Sequence, residues 1–172
     1  MGRCKIKLTR RASRRGDFSD FLQRAHTMTF GIFALTVAAI FTGAAVYANV
    51  AEQPARLLLD DRALLIEWKP SYKRGAVMQA SIALIGCVLG LVAWVQTSHS
   101  GFLIGAVAMV APWPWTLLAI KPTNDALLAT DPDRATPQTR ALIVKWGVLH
   151  AVRTALGALA TIAFLWACGS RW

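Results

Sequence analysis

GAVMQASIALIGCVLGLVAWVQTSHSGFLIGAVAMVAPWPWTLLAI, residues 75–120, contains no Asp, Glu, Lys or Arg. A helix needs roughly 20 apolar residues to cross about 30 Å of hydrocarbon. This run is about twice that length, and QTSHSG (96–101) interrupts it with a polar, turn-forming stretch. It therefore reads as two membrane spans joined by a tight turn. A second charge-free run lies between Arg24 and Glu52 and holds one further span. A fourth runs from Trp146 to Cys168, with Arg153 its one charged residue. The fold expected is all-α: an integral membrane four-helix bundle occupying 25–170, with spans near 27–50, 75–95, 102–120 and 146–168.

The rest of the composition agrees. Of 172 residues, 55% are hydrophobic and only 16% charged, where soluble domains carry about 25%. The net charge is +10, and the first 20 residues hold seven Lys or Arg against two Asp. A disordered basic tail over 1–24, held against anionic lipid, is expected, each cation contributing on the order of 1 kcal/mol. An Arg-rich transit peptide is the alternative reading of that tail, and a cleaved signal peptide a weaker one. Membrane lipids, and not nucleic acid, are the partners this charge implies. The three cysteines, Cys4, Cys87 and Cys168, lie too far apart to form a ligand cluster. No dinucleotide, P-loop or metalloprotease motif occurs.

Four crossings place the termini and the 96–101 turn on one face (side A) and loops 52–74 and 121–145 on the other (side B). Each side carries nine Lys or Arg outside the spans. Only the basic tail beside span 1 favours a cytoplasmic side A, in a bacterial inner membrane or, alternatively, an organelle inner membrane. Small residues are expected to hold the bundle together, notably Gly86 and Gly90 in span 2 and Gly101 and Gly105 in span 3. Pro112 and Pro114 should kink span 3. In ARLLLDDRALLIEW (55–68), Leu57, Leu58, Leu64, Leu65 and Trp68 make an apolar stripe. It reads as a short interfacial helix between spans 1 and 2 that ends at Pro70.

Side B collects the polar residues with chemical potential. Span 1 ends with Tyr47, Asn49, Glu52 and Arg56, and span 2 begins with Tyr72, Arg74 and Gln79. Span 3 ends with Thr116, Lys121, Thr123 and Asn124, and span 4 opens with Trp146, His150 and Arg153. At 100° per residue the last three share one stripe. That stripe is either an interfacial aromatic belt with a snorkelling arginine or the wall of a site. Arg153 lies two turns below Trp146, where a lone cation is costly, so a partner is expected and Glu52 is the candidate. Gln79 reads either as a helix-pair hydrogen bond or as part of the same site. Tyr47 and Tyr72 are interface tyrosines or pocket residues. Bis-histidine haem is disfavoured because His26 and His99 lie on side A, leaving His150 only as a lone axial ligand. No metal or other cofactor is expected.

Four stretches, TGAAVYANVAEQPAR (42–56), WKPSYKRGAVMQA (68–80), PWTLLAIKPTNDALL (114–128) and RALIVKWGVLHAVRTALG (140–157), resemble the anthrone oxygenase-like family of small four-span membrane proteins. The resemblance runs in order over roughly residues 28 to 168. It implies recurrent positions at Glu52, Pro54, Arg56, Tyr72, Arg74, Gln79, Pro122, Asn124, Trp146, His150 and Arg153. It also implies oxidation of a lipophilic phenol, anthrone or quinol by molecular oxygen. His150 would be the base, with Arg153 and either Trp146 or Asn124 stabilising the oxyanion. The alternative is a non-catalytic subunit of a larger membrane complex that binds lipid or quinone. Either a homo-oligomer or such a complex is compatible with the small-residue helix faces. A transporter fits less well, because no internal repeat occurs.

Overall fold

A computed structural model describes residues 29–170. The expected basic tail and His26 lie outside the described residues. Four helices are long and apolar enough to cross a membrane: α1 (Thr29–Arg56), α2 (Asp61–Thr97), α3 (Ser100–Ala129) and α4 (Pro137–Gly169). Asp60 caps α2, its carboxylate accepting from Ala63 N at 2.9 Å. A capping box of Thr136 and Thr139, with Pro137 in the first turn, starts α4. The α2–α3 connection is the tight turn expected from QTSHSG. Ser98 adopts the left-handed conformation (φ 55°), and the His99 side chain caps α3 through Gly101 N.

The packing is that of a membrane bundle. Val95, Leu118, Val148 and Ile162 face outward, while Ala34, Ala38, Ala106, Ala160 and Ala167 fill the centre. Without a hydrophobic force between helices in lipid, close backbone approach at small residues must supply the contact. Phe164 shows how: its ring is fully buried in a slot floored by Gly90 and Gly105. A Cβ at Gly105 would stand 2.3 Å from Phe164 Cε1, so any larger residue forces the ring to shift.

The helices outrun the expected spans on side B. At 1.5 Å per residue, the 37 residues of α2 measure about 55 Å, well beyond about 30 Å of hydrocarbon. The expected separate interfacial helix between spans 1 and 2 is not formed. Residues 57–60 make a turn, and the helix beginning at Asp61 continues through Pro70 into the span. Its apolar stripe explains this, because Leu64, Leu65 and Trp68 are fully buried within the bundle. Each contributes about 1.5–3 kcal/mol. Together they outweigh the roughly 3 kcal/mol that an interior proline costs, and Pro70 itself sits on the exposed face.

These residues join Ile120, Leu127, Ile143 and Trp146 in a side B cluster. Arg62–Asp133 (2.6 Å) and Arg140–Asp61 (2.6 Å) clamp its rim. A second cluster around Phe41, Met109 and Phe164 fills the other half of the bundle. On each helix a polar side chain falls between the two clusters: Asn49 on α1, Gln79 on α2, Thr116 on α3, and His150 and Arg153 on α4.

Candidate functional site

The polar layer borders a cavity of about 560 Å³ between α1, α2 and α4. Its walls include Ala44, Tyr47, Ala48 and Glu52 of α1, and Ser71, Tyr72, Arg74, Gly75 and Gln79 of α2. Trp146, His150 and Arg153 of α4 complete it. A cavity of several hundred Å³ with a few convergent polar groups is what a drug-sized ligand requires. Of the ten site residues expected from the sequence, eight line it: Tyr47, Glu52, Tyr72, Arg74, Gln79, Trp146, His150 and Arg153. The other two support the wall from behind. Asn124 donates to the Tyr72 hydroxyl at 3.0 Å. Arg56, 4% exposed, lies 5.9 Å from the Trp146 ring centre.

Two π-helical turns deliver side chains to this layer, Ala48–Glu52 in α1 and Thr116–Ile120 in α3. Each closes with an N–H reaching five residues back, Gln53 to Ala48 and Lys121 to Thr116. In both cases a proline, Pro54 or Pro122, follows two residues after the turn ends. A proline ring inside a helix clashes with the carbonyl four residues earlier. One widened turn relieves that clash and rotates the preceding residues relative to the helix beyond. Such turns occur often at functional sites.

The first π turn carries Asn49. Its amide spans to α4, with Nδ2 donating to the Gly147 carbonyl at 2.8 Å and Oδ1 lying 2.6 Å from His150 Nδ1. Thr154 donates to the same Oδ1 at 3.2 Å. Gln53 repeats the bridge one turn on, donating to the Ile143 carbonyl at 2.8 Å. Trp146 stacks on the His150 ring, with centres 4.8 Å apart and planes 27° apart. Trp68 meets Trp146 edge-on at 5.9 Å and stacks on Tyr72 at 4.9 Å. His150 is thus fixed along one edge by α1 and on one face by indole.

The second π turn offers Thr116 to Arg153 at 3.5 Å, and the Arg153 Nε has no hydrogen-bond partner. Arg153 also borders a smaller cavity of about 120 Å³, with Ala80, Pro112 and Leu117. The expected pairing of Glu52 with Arg153 is not made. Glu52 instead forms an ion pair with Arg56, one helical turn away, and accepts from Ser71 Oγ. Arg56 also meets Glu67 at 3.1 Å, so this buried cation is shared by two carboxylates. A partner four residues along the same helix requires no rearrangement, which is why it prevails. Gln79 is 4% exposed, its Oε1 unpartnered, and it makes no helix-pair hydrogen bond among the described residues.

His99 stands at the opposite end, bonded to Ser170 at 2.8 Å, far from His150 along the bundle. Among the described residues no three His, Cys, Asp or Glu side chains form a group that would hold a metal ion. By sequence Asn49 and Thr116 stand out only as polar residues of side B, and Gln53, Ser71 and Thr154 do not stand out at all. The prolines after each π turn, and an amide facing the histidine stripe at equal depth, were the available signals.

The chain is a multi-pass membrane protein whose four-helix bundle walls a polar cavity near one face. The sequence model for anthrone oxygenase matches residues 68–163, more than half the chain, and the protein belongs to that family. The matched region contributes Tyr72, Arg74, Gln79, Trp146, His150 and Arg153 to the cavity, while the α1 wall lies before it. Among curated proteins the chain is similar to anthrone oxygenase tpcL of Aspergillus fumigatus, with 33% identity over 99 residues. That alignment covers 53% of this chain and 62% of the relative, so the chain spans less than two thirds of the relative's length. No solved structure matches it.

Proposed function

We propose that the protein oxidises a lipophilic anthrone, phenol or quinol with molecular oxygen in the α1–α2–α4 cavity. The observation that carries this reading is the placement of His150 and Arg153 on one wall of a ligand-sized space, each with hydrogen-bonding capacity the protein leaves unused. Family membership and the relative named anthrone oxygenase support it.

The chemistry can be followed atom by atom for an anthrone. Its methylene is acidic because the carbanion delocalises into an aromatic enolate. The neutral imidazole of His150 removes that proton. Arg153 donates to the enolate oxygen, where a fixed cation in a water-poor cavity counts for far more than in water. The electron-rich carbon reduces oxygen directly and forms a C–O bond. The protonated hydroperoxide then loses water to leave the ketone. One anthrone and one dioxygen thus give one quinone and one water. Trp146 holds the base in plane, and Tyr72 and Gln79 border the ring of the substrate.

The test is purified protein in lipid nanodiscs supplied with an anthrone under air. Quinone absorbance and oxygen uptake are followed together, against the protein-free rate of autoxidation. Equimolar, protein-dependent loss of oxygen and gain of quinone supports the reading. Tight binding without turnover would favour a ligand-binding subunit instead.

A further inference from the structure

We propose that Asn49 is a positioning residue that holds the His150 imidazole as its Nδ1–H tautomer, so that Nε2 is the nitrogen presented to the ligand. This rests on the proposed use of His150 as the base. An amide can be turned either way, but here its neighbours decide. The Gly147 carbonyl can only accept, and it lies 2.8 Å from the amide, so Asn49 must place Nδ2 there. Oδ1 then faces His150 Nδ1 at 2.6 Å and the Thr154 hydroxyl at 3.2 Å. A carbonyl oxygen has two lone pairs and no proton, so both neighbours must donate. Nδ1 therefore carries the hydrogen, and in the neutral ring Nε2 carries the lone pair. Turning the amide over would set two acceptors against each other at Gly147.

Nε2 makes no hydrogen bond to the described residues, and His150, 3% exposed, lines the cavity. A ring free to exchange tautomers would spend part of its time with Nε2–H facing the substrate, useless as a base. Asn49 removes that fraction. The π turn Ala48–Glu52 sets its register, and Gln53 fixes the same helix pair through Ile143. The alternative is that Asn49 only ties α1 to α4. That role predicts loss of stability with no change in the behaviour of the imidazole.

The experiment has two readouts on full-length protein in nanodiscs. The first is nitrogen-15 NMR of the histidine ring. Only three histidines occur, and His150→Gln assigns the signal. The wild type should show a protonated Nδ1 and a lone-pair Nε2, and Asn49→Leu should show a mixture. The second is the pH profile of turnover. Asn49→Leu should lower kcat several-fold, by the share of the ring no longer held as the Nδ1–H tautomer, with little change in KM. Asn49→Asp still accepts from Nδ1–H, though its second oxygen loses the bond to the Gly147 carbonyl and must turn from it, and its charge favours the imidazolium, so the acid limb should move up by about 1 unit or more. A wild-type ring protonated at Nε2 overturns the proposal. So does an equal loss in both variants with an unmoved acid limb. A ring protonated at Nδ1 in a protein without turnover would uphold Asn49's role and reject the oxygenase reading.

Discussion

Replacing Gly105 by alanine tests the packing that holds the site's helices in register. The new Cβ would lie 2.3 Å from Phe164 Cε1, where carbon atoms ordinarily rest about 3.5–4.0 Å apart. The ring must move by more than 1 Å, and it cannot move freely. Phe164 is fully buried, and the Cβ position of Gly90 lies 2.7 Å from its Cζ on another side. Overpacking of this kind costs about 1–3 kcal/mol, against about 1 kcal/mol returned by alanine's better helix propensity. Gly43→Ala is the matched control, because nothing lies within 4 Å of its Cβ position. Propensity cancels between the two variants, so their difference in unfolding free energy should be about 1–3 kcal/mol. Steric-trap or denaturant unfolding in bicelles measures it. Adding Phe164→Leu should remove at least half of the gap, because the two sites share one contact. Equal stability of Gly105→Ala and Gly43→Ala, or a gap that survives Phe164→Leu, would show that Phe164 does not need the space at Gly105.

Two further outcomes follow from the site. Arg56→Met leaves Glu52 and Glu67 facing one another without their shared cation, and should cost about 3 kcal/mol of stability. Adding Glu52→Gln and Glu67→Gln should recover much of this in the same unfolding assay, whereas no recovery would place the loss in packing under Trp146. Gly75 lines the cavity and has nothing within 4 Å of its Cβ position, so Gly75→Trp should fold normally yet fill the opening. Titration with a fluorescent tricyclic ligand should show affinity at least about 10-fold weaker, and unchanged affinity would place the ligand elsewhere.

Three of the four spans were legible because charge is prohibitive in hydrocarbon, so the gaps at 25–51 and 75–120 mark them without any need for periodicity. The stripe of Trp146, His150 and Arg153 was legible for a similar reason, since polar groups are rare enough there for spacing to be informative. Other features depend on contacts between distant residues. Asn49 and His150 are 101 positions apart, and which of several side B polar groups would meet His150 is set by helix rotation. That rotation follows from two π turns whose sequence trace is one proline each. Glu52 is the acid nearest a span and so the expected partner of Arg153, yet Arg56 four residues away is the easier partner. Pro70 read as a helix end because local propensity says so, and the burial of Leu64, Leu65 and Trp68 overrode it.

The decisive measurement is oxygen-dependent conversion of an anthrone by purified protein, compared with His150→Ala and Arg153→Met. Protein-dependent quinone formation should be coupled one-to-one to oxygen uptake. Removing His150 should lower the rate by about 10²–10⁴-fold, and removing Arg153 by about 10²–10³-fold, with both variants still folded. Full turnover in His150→Ala, or wild-type turnover no faster than autoxidation, would contradict it.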